Sequence, residues 1–160
     1  MVRRLTARLE ALAGLGQPVG LVGHSTGGLL LRMALPAVPT LRVRHFIMLG
    51  VPNRPPRLAR MAWNWFPFRW LAQDCGALLA NPTVLALPAL TVPYALISGT
   101  AGPRGRYSPF GNDLNDGVVA ADETRIRDAD EPLLLPVWHT LMMNDRRVKK
   151  AVVAGFGRGE

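Results

Sequence analysis

Six residues, Gly23-His24-Ser25-Thr26-Gly27-Gly28, join two apolar runs of opposite character. Before them stands Pro18-Val19-Gly20-Leu21-Val22, which with Gly23 makes a short run of strand type. After them Leu29-Leu30-Leu31-Arg32-Met33-Ala34-Leu35 reads as a helix, stopped by Pro36. A strand that becomes a helix within so few residues needs a sharp, strained turn, and Ser25 stands at its apex. The pattern is G-x-S-x-G. Its spacing predicts glycine at Gly23 and Gly27, because strand and helix pass closely there and a side chain on either would collide. The same turn aims the free N–H groups and the positive end of the helix at the serine hydroxyl. Thr26, the residue after the serine, is placed to offer one backbone N–H to a developing oxyanion. A bare G-x-S-x-G arises often by chance, and the strand–turn–helix setting gives this one its weight. The other two serines, Ser98 and Ser108, lack such a setting.

The rest of the chain repeats the alternation. Leu5, Leu9 and Leu12 recur at helical spacing and predict an amphipathic helix over residues 3–13, ending near Gly14 or Gly16. Further strands are expected at Val43–Leu49, closed by Gly50 and Pro52, at Val92–Ser98 and at Leu133–Val137. A last helix, nucleated by Asn144 or Asp145, is expected to carry Val148, Val152, Val153 and Phe156 on one side. Strands separated by helix-length connections imply an α/β fold, and their near-continuous apolar character implies a parallel sheet covered on both faces. At 160 residues the chain is one domain, 1–160, large enough to bury about 70% of its unfolded surface.

A nucleophilic serine needs a base, usually histidine, and a third group to orient it. There are three histidines. His24 adjoins Ser25, so its side chain leaves the turn in another direction. His45 opens a strand between Arg44 and Phe46 and reads as structural. His139 follows the fourth strand and begins a loop, the place where such groups converge at the C-terminal edge of a parallel sheet. The acids between Ser25 and His139 are Asp74, Asp113, Asp116, Asp122, Glu123, Asp128, Asp130 and Glu131. Asp116 is favoured by its tight turn, Asn115-Asp116-Gly117, and Asp113 is its near rival. Asp122 and Glu123 read as solvated or helix-capping. The 111–117 segment lacks calcium-loop spacing, since Leu114 falls where a ligand is required.

Three blocks in this order, LVGHSTGG, NDGVVAADETRI and LLLPVWHTLMMNDRRV, resemble serine hydrolases of the α/β-hydrolase superfamily, in the lipase and esterase branch with a G-H-S-x-G elbow. A fourth, MLGVPNRPPRLA, resembles the segment after the next strand, where such lipases usually carry Gly-Ser; here Arg54-Pro55-Pro56 stands instead. The resemblance makes Ser25 the nucleophile, Asp116 the acid and His139 the base, with an acid-to-base interval of 23 residues like the family's. It implies cleavage of carboxylic esters through an acyl-enzyme, with no metal and no organic cofactor, and a small-molecule or lipid ester as substrate. Acyl transfer by the same three residues is the competing chemistry.

The family's fold normally begins with further strands and a His-Gly loop that supplies a second oxyanion donor, and no His-Gly pair occurs here. The expectation is the C-terminal two-thirds of the usual fold, about four strands, with residues 18–23 as an exposed apolar edge and the missing pattern encoded upstream of Met1. The competing reading is an inactive remnant that binds a lipid or a protein through that edge, or pairs two copies there. Residues 53–91 are Pro-rich and suit a cap over the site. Within them, MAWNWFPFRW holds 5 of the 11 aromatic residues, and Trp63, Trp65, Phe66 and Phe68 are the candidate substrate contacts, at an acyl pocket or a membrane surface.

Charge is unevenly spread. Residues 1–110 carry 12 basic and 2 acidic side chains, and residues 111–160 carry 7 and 9. Seventeen of the 19 basic residues are arginines, scattered singly or in pairs, so no nucleic-acid partner is expected. The single Cys75 excludes an internal disulfide or a Cys-based zinc site. Arg8 and Glu10 interrupt the apolar start that a secretory signal needs, which makes a cytoplasmic location the expectation unless a targeting segment precedes Met1.

Overall fold

The computed structural model describes residues 1–57 and 87–157. Helix α1 (Val2–Gly14) leads into strand β1 (Val19–His24), and helix α2 (Thr26–Ala34) follows after Ser25 alone. Strands β2 (Val43–Leu49), β3 (Tyr94–Gly99) and β4 (Leu133–Leu135) come next, and helix α3 (Arg146–Gly157) closes the described chain. The four strands form one parallel sheet in the order β1-β2-β3-β4. The expected α/β architecture with a four-stranded parallel sheet is therefore present.

Side-chain alternation along the strands divides the core into two layers. Leu21, Phe46, Met48 and Leu96 face α1 and α2, where Leu9 and Leu29 complete the packing. Ile47, Leu49 and Ile97 face the other way, against Val148 of α3 and against Val137 and Met142. The C-terminal ends of the strands lie in register, His24 beside Leu49 and Ile97 beside both Leu49 and Leu133. The connections leaving β1, β2, β3 and β4 thus emerge along one edge. Among the described residues β1 pairs only with β2, and Val22 on this strand is 45% exposed.

The departures from expectation have local causes. β3 starts at Tyr94 rather than Val92, because Pro93 has no N–H and contributes only its carbonyl, which accepts from Phe46 N–H. β4 stops at Leu135, one residue before Pro136. α3 is capped by Asp145, whose Oδ1 accepts from the N–H of Arg147 at 2.8 Å. Val148, Val152 and Phe156 pack on the core as expected, but Val153 is 72% exposed. Five residues from Val148 is about 140° around a helix, so Val153 leaves the stripe that its neighbours share. The candidate contacts Trp63, Trp65, Phe66 and Phe68, with Asp74 and Cys75, lie outside the described residues. Among the described residues, no helix is long and apolar enough to cross a membrane.

Phe46 is fully buried at the centre of the first layer. Phe46→Ala should cost about 3–5 kcal/mol of unfolding free energy. Val153→Ser should stay within about 0.5 kcal/mol. Urea denaturation of the two variants checks the assignment of the layers.

Candidate active site

Ser25 has φ 52° and ψ −132°, and among the described residues it alone, glycine apart, has a positive φ. Such a conformation costs about 1–3 kcal/mol and persists only where the surroundings dictate it. Here β1 and α2 do so. Ser25 N–H bonds Leu49 O at 2.9 Å, and its carbonyl accepts from Gly28 N–H at 3.0 Å. The turn therefore hangs between the end of β2 and the first turn of α2.

The glycine requirement is only half as expected. A Cβ on Gly23 would lie 2.4 Å from Gly28 Cα, so strand and helix backbones touch at this point. A Cβ on Gly27 would meet nothing within 4 Å. The second close approach falls on Gly28, whose added Cβ would sit 2.2 Å from Val51 Cγ2. The helix presents Gly28, not Gly27, to the sheet.

His139 and Asp116 come to Ser25 from the loops after β4 and β3. His139 Nε2 lies 2.9 Å from Ser25 Oγ, and His139 Nδ1 lies 2.7 Å from Asp116 Oδ2. The backbone reinforces the pairing, since His139 N–H donates to Asp116 O at 2.9 Å. Asp116 Oδ1 accepts from the N–H groups of Val118 and Val119 at 2.9 and 2.7 Å. Its carboxylate is thus fully bonded while 1% exposed, and His139 is 7% exposed. Gly50, with φ 54°, passes beneath the pair, and a Cβ there would lie 3.0 Å from Asp116 Oδ2 and 3.1 Å from His139 Nδ1. The left-handed turn after β2 is what leaves room for the carboxylate and imidazole to meet.

The structure thus brings together Ser25, Asp116 and His139. Thr26, the first residue of α2, directly follows Ser25 and carries an N–H that helix geometry leaves without an intrahelical acceptor. The structure does not bring in Asp113, which pairs with Arg57, nor His45, which lies four residues back from the end of β2. Glu123 is buried and caps a short 3-10 turn (Ala121–Thr124) by accepting from Ala120 N–H at 2.9 Å.

His24 does more than its position in the sequence suggests. Its Nε2–H donates to the carbonyl of His139 at 3.1 Å, and the two rings lie 4.8 Å apart, tilted by 41°. Only a donor can meet a carbonyl, so this bond fixes the tautomer. Burial, with the His139 ring adding to it, holds His24 below the ordinary imidazole value of 6.5. A neutral ring thus props the loop that carries His139. The only signal for this in the sequence is adjacency to Ser25, which says nothing about a partner 115 residues away.

Neither a scan against family models nor a search of curated proteins gave a match. Among solved structures, the chain is similar to BlEst2, a Bacillus licheniformis lipase in its mature form. The TM-score is 0.67 and the identity 24%, covering 94% of this chain and 70% of that one. The fold is that of the α/β-hydrolases. The chain is also similar to RedJ, solved with a PEG molecule bound in its active site. There the TM-score is 0.53 and the identity 16%, covering 100% of this chain and 73% of that one. In this α/β-hydrolase fold, Ser25 occupies the turn between β1 and α2, and the loops after β3 and β4 bring Asp116 and His139 to it.

The contacts at the turn separate two substitutions that the motif alone treats alike. Gly23→Ala forces backbone apart and should lower stability by about 1–3 kcal/mol. Gly27→Ala should leave the thermal midpoint unchanged or slightly raised, because the position is open and alanine is the better helix former. Thermal unfolding followed by circular dichroism distinguishes the two.

Proposed function

We propose that the chain is a serine hydrolase that cleaves carboxylic esters, with Ser25 as nucleophile, His139 as general base and acid, and Asp116 as the orienting carboxylate. The observation that carries this reading is the single imidazole that bridges Ser25 Oγ at 2.9 Å and Asp116 Oδ2 at 2.7 Å, at a serine held with positive φ. The fold shared with a lipase supports it.

In this reading Ser25 Oγ attacks the acyl carbon as His139 Nε2 takes the hydroxyl proton. Asp116 Oδ2, already bonded to Nδ1, stabilises the imidazolium that forms and holds the ring in the tautomer that leaves Nε2 free to accept. Negative charge moves to the former carbonyl oxygen, and Thr26 N–H at the start of α2 is one donor for it. The Nε2 proton then passes to the departing alcohol, leaving the acyl group on Ser25 Oγ. Water, deprotonated by His139, releases the acid and restores the hydroxyl. The cycle balances with ester and water alone. The Ser25 turn is the nucleophile elbow of this mechanism.

Hydrolysis of a short-chain p-nitrophenyl ester tests the assignment. Ser25→Ala should abolish turnover. Asp116→Asn should lower it by about 10⁴-fold with the fold intact. Asp113→Asn should lower it far less, since its carboxylate faces Arg57 rather than His139. If Asp113→Asn proved the more damaging of the two, the acid would be misassigned by three residues.

A further inference from the structure

The loop that carries Asp116 is closed at its base by one arginine from the segment after β2. Arg57 donates from Nη1 to Asp113 Oδ2 and from Nη2 to Asp122 Oδ2 at 2.6 Å, and its Nε lies 3.4 Å from Glu123 Oε1. Its backbone N–H donates to the same Glu123 oxygen at 2.8 Å. Asp113 precedes Asp116 by three residues, and Asp122 and Glu123 follow it by six and seven. Between these ends the loop doubles back, with Asn115 bridged to Ala120 and Ala121 N–H bonded to Leu114 O at 2.8 Å. The guanidinium therefore ties both ends of the loop together and compensates three carboxylates that would otherwise repel one another.

The arms are unequal. The side chains of Asp113 and Asp122 are 58% and 52% exposed, so those arms are screened and weak. The Glu123 side chain is 4% exposed. Burial pushes its carboxyl up, opposed by the N–H groups of Arg57 and Ala120 and by the Arg57 charge. The neighbouring residues add a second grip. Asn53 Nδ2 donates to Thr124 O at 2.6 Å, Arg54 N–H to Glu123 O at 3.0 Å, and Arg54 Nε to Arg125 O at 3.2 Å. The buried Arg32 of α2 in turn donates to Asn53 Oδ1 at 2.7 Å. Asn53-Arg54-Pro55-Pro56-Arg57, which contains the Arg54-Pro55-Pro56 departure from the lipase pattern, is thus a clamp on the far end of the Asp116 loop.

The geometry points to Arg57 as a positioning residue. By closing the 113–123 loop it holds Asp116 at hydrogen-bond distance from His139, without itself touching Ser25 or His139. An arginine suits the task because its planar fork meets three carboxylates at once, which a lysine ammonium does not reproduce. A displacement of about 1 Å at the orienting carboxylate can cost about 10²-fold in rate, so closing the loop bears on chemistry as well as stability.

The test uses the full chain with Arg57→Gln, which removes charge and fork, and Arg57→Lys, which keeps the charge. Its turnover arm rests on the ester-hydrolase reading. Its second arm does not, because proton NMR reads the His139 Nδ1 proton shared with Asp116 directly, as a far-downfield resonance. Measured well below each variant's melting transition, kcat for the short-chain ester should fall by about 10- to 10²-fold in Arg57→Gln, with KM within about twofold. The resonance should broaden or vanish through exchange with water, and Arg57→Lys should lie between wild type and Arg57→Gln in both. Unchanged kcat and a sharp resonance in folded Arg57→Gln would overturn the inference. If Arg57→Gln does not fold, Arg57→Lys decides, and wild-type values in both readouts would overturn it there. A wild-type resonance that Arg57→Gln loses, in a chain that hydrolyses no ester, would remove the functional reading and leave the inference standing. A wild-type chain without the resonance would remove the inference.

Discussion

The contact between Gly23 and Gly28 lets β1 hand over to α2 through a single residue, and the rest of the site depends on that contact. With the two backbones touching, the chain cannot round the corner in an ordinary conformation, and Ser25 takes up the strain with φ 52° and ψ −132°. The strain is held by the bond from Ser25 N–H to Leu49 O and by α2 itself, packed through Leu29 into the first core layer. The parallel sheet does the remainder. Because the strand ends are in register, the connections after β2, β3 and β4 arrive beside that corner, and each supplies one element: the Gly50 gap, the Asp116 carboxylate and the His139 imidazole. The packed sheet thereby fixes Ser25, Asp116 and His139 together, which no local sequence could do.

The uneven charge has a structural meaning. Acidic residues are scarce through residues 1–110 and concentrated beyond, where the loops after β3 and β4 are built. Asp116 faces inward to His139, while Asp113, Asp122 and Glu123 face Arg57 on the other side of the same loop. One short stretch thus separates two carboxylate tasks by direction. Asp116 is bonded to two backbone N–H groups and an imidazole, and the remaining three carboxylates are gathered by a guanidinium. Asp130 is used differently again: it accepts from Tyr94 Oη at 2.8 Å and from the N–H groups of Ile126 and Arg127, which places it in the turn before β4 and outside this cluster.

The sheet and the partners of Ser25 were legible because they depend on period and order. Apolar runs bounded by Gly and Pro marked the strands to within two residues, and a histidine just past a strand end has few places to go in a parallel sheet. What the sequence hid depends on contacts across the fold. The motif marks Gly27, yet the touching surfaces belong to Gly23, Gly28 and Val51, and only packing tells which glycine faces the sheet. Val153 is apolar but lies off the helical stripe of Val148 and Val152, so composition misled where phase decided. His24 and Arg57 were missed for a common reason. Their partners lie 115 residues away in one case and 56 to 66 in the other, and no local pattern encodes such a pairing.

Under the proposed function, the strain at Ser25 and the His139 bridge make this one hydroxyl the nucleophile. Treating the folded chain with a fluorophosphonate and mapping the modified peptide by mass spectrometry reads this reactivity at each serine. One adduct per chain is expected, on Ser25, formed in the wild type and absent after Ser25→Ala. An adduct that persists in Ser25→Ala, or one that forms on Ser98 or Ser108 instead, would contradict that function.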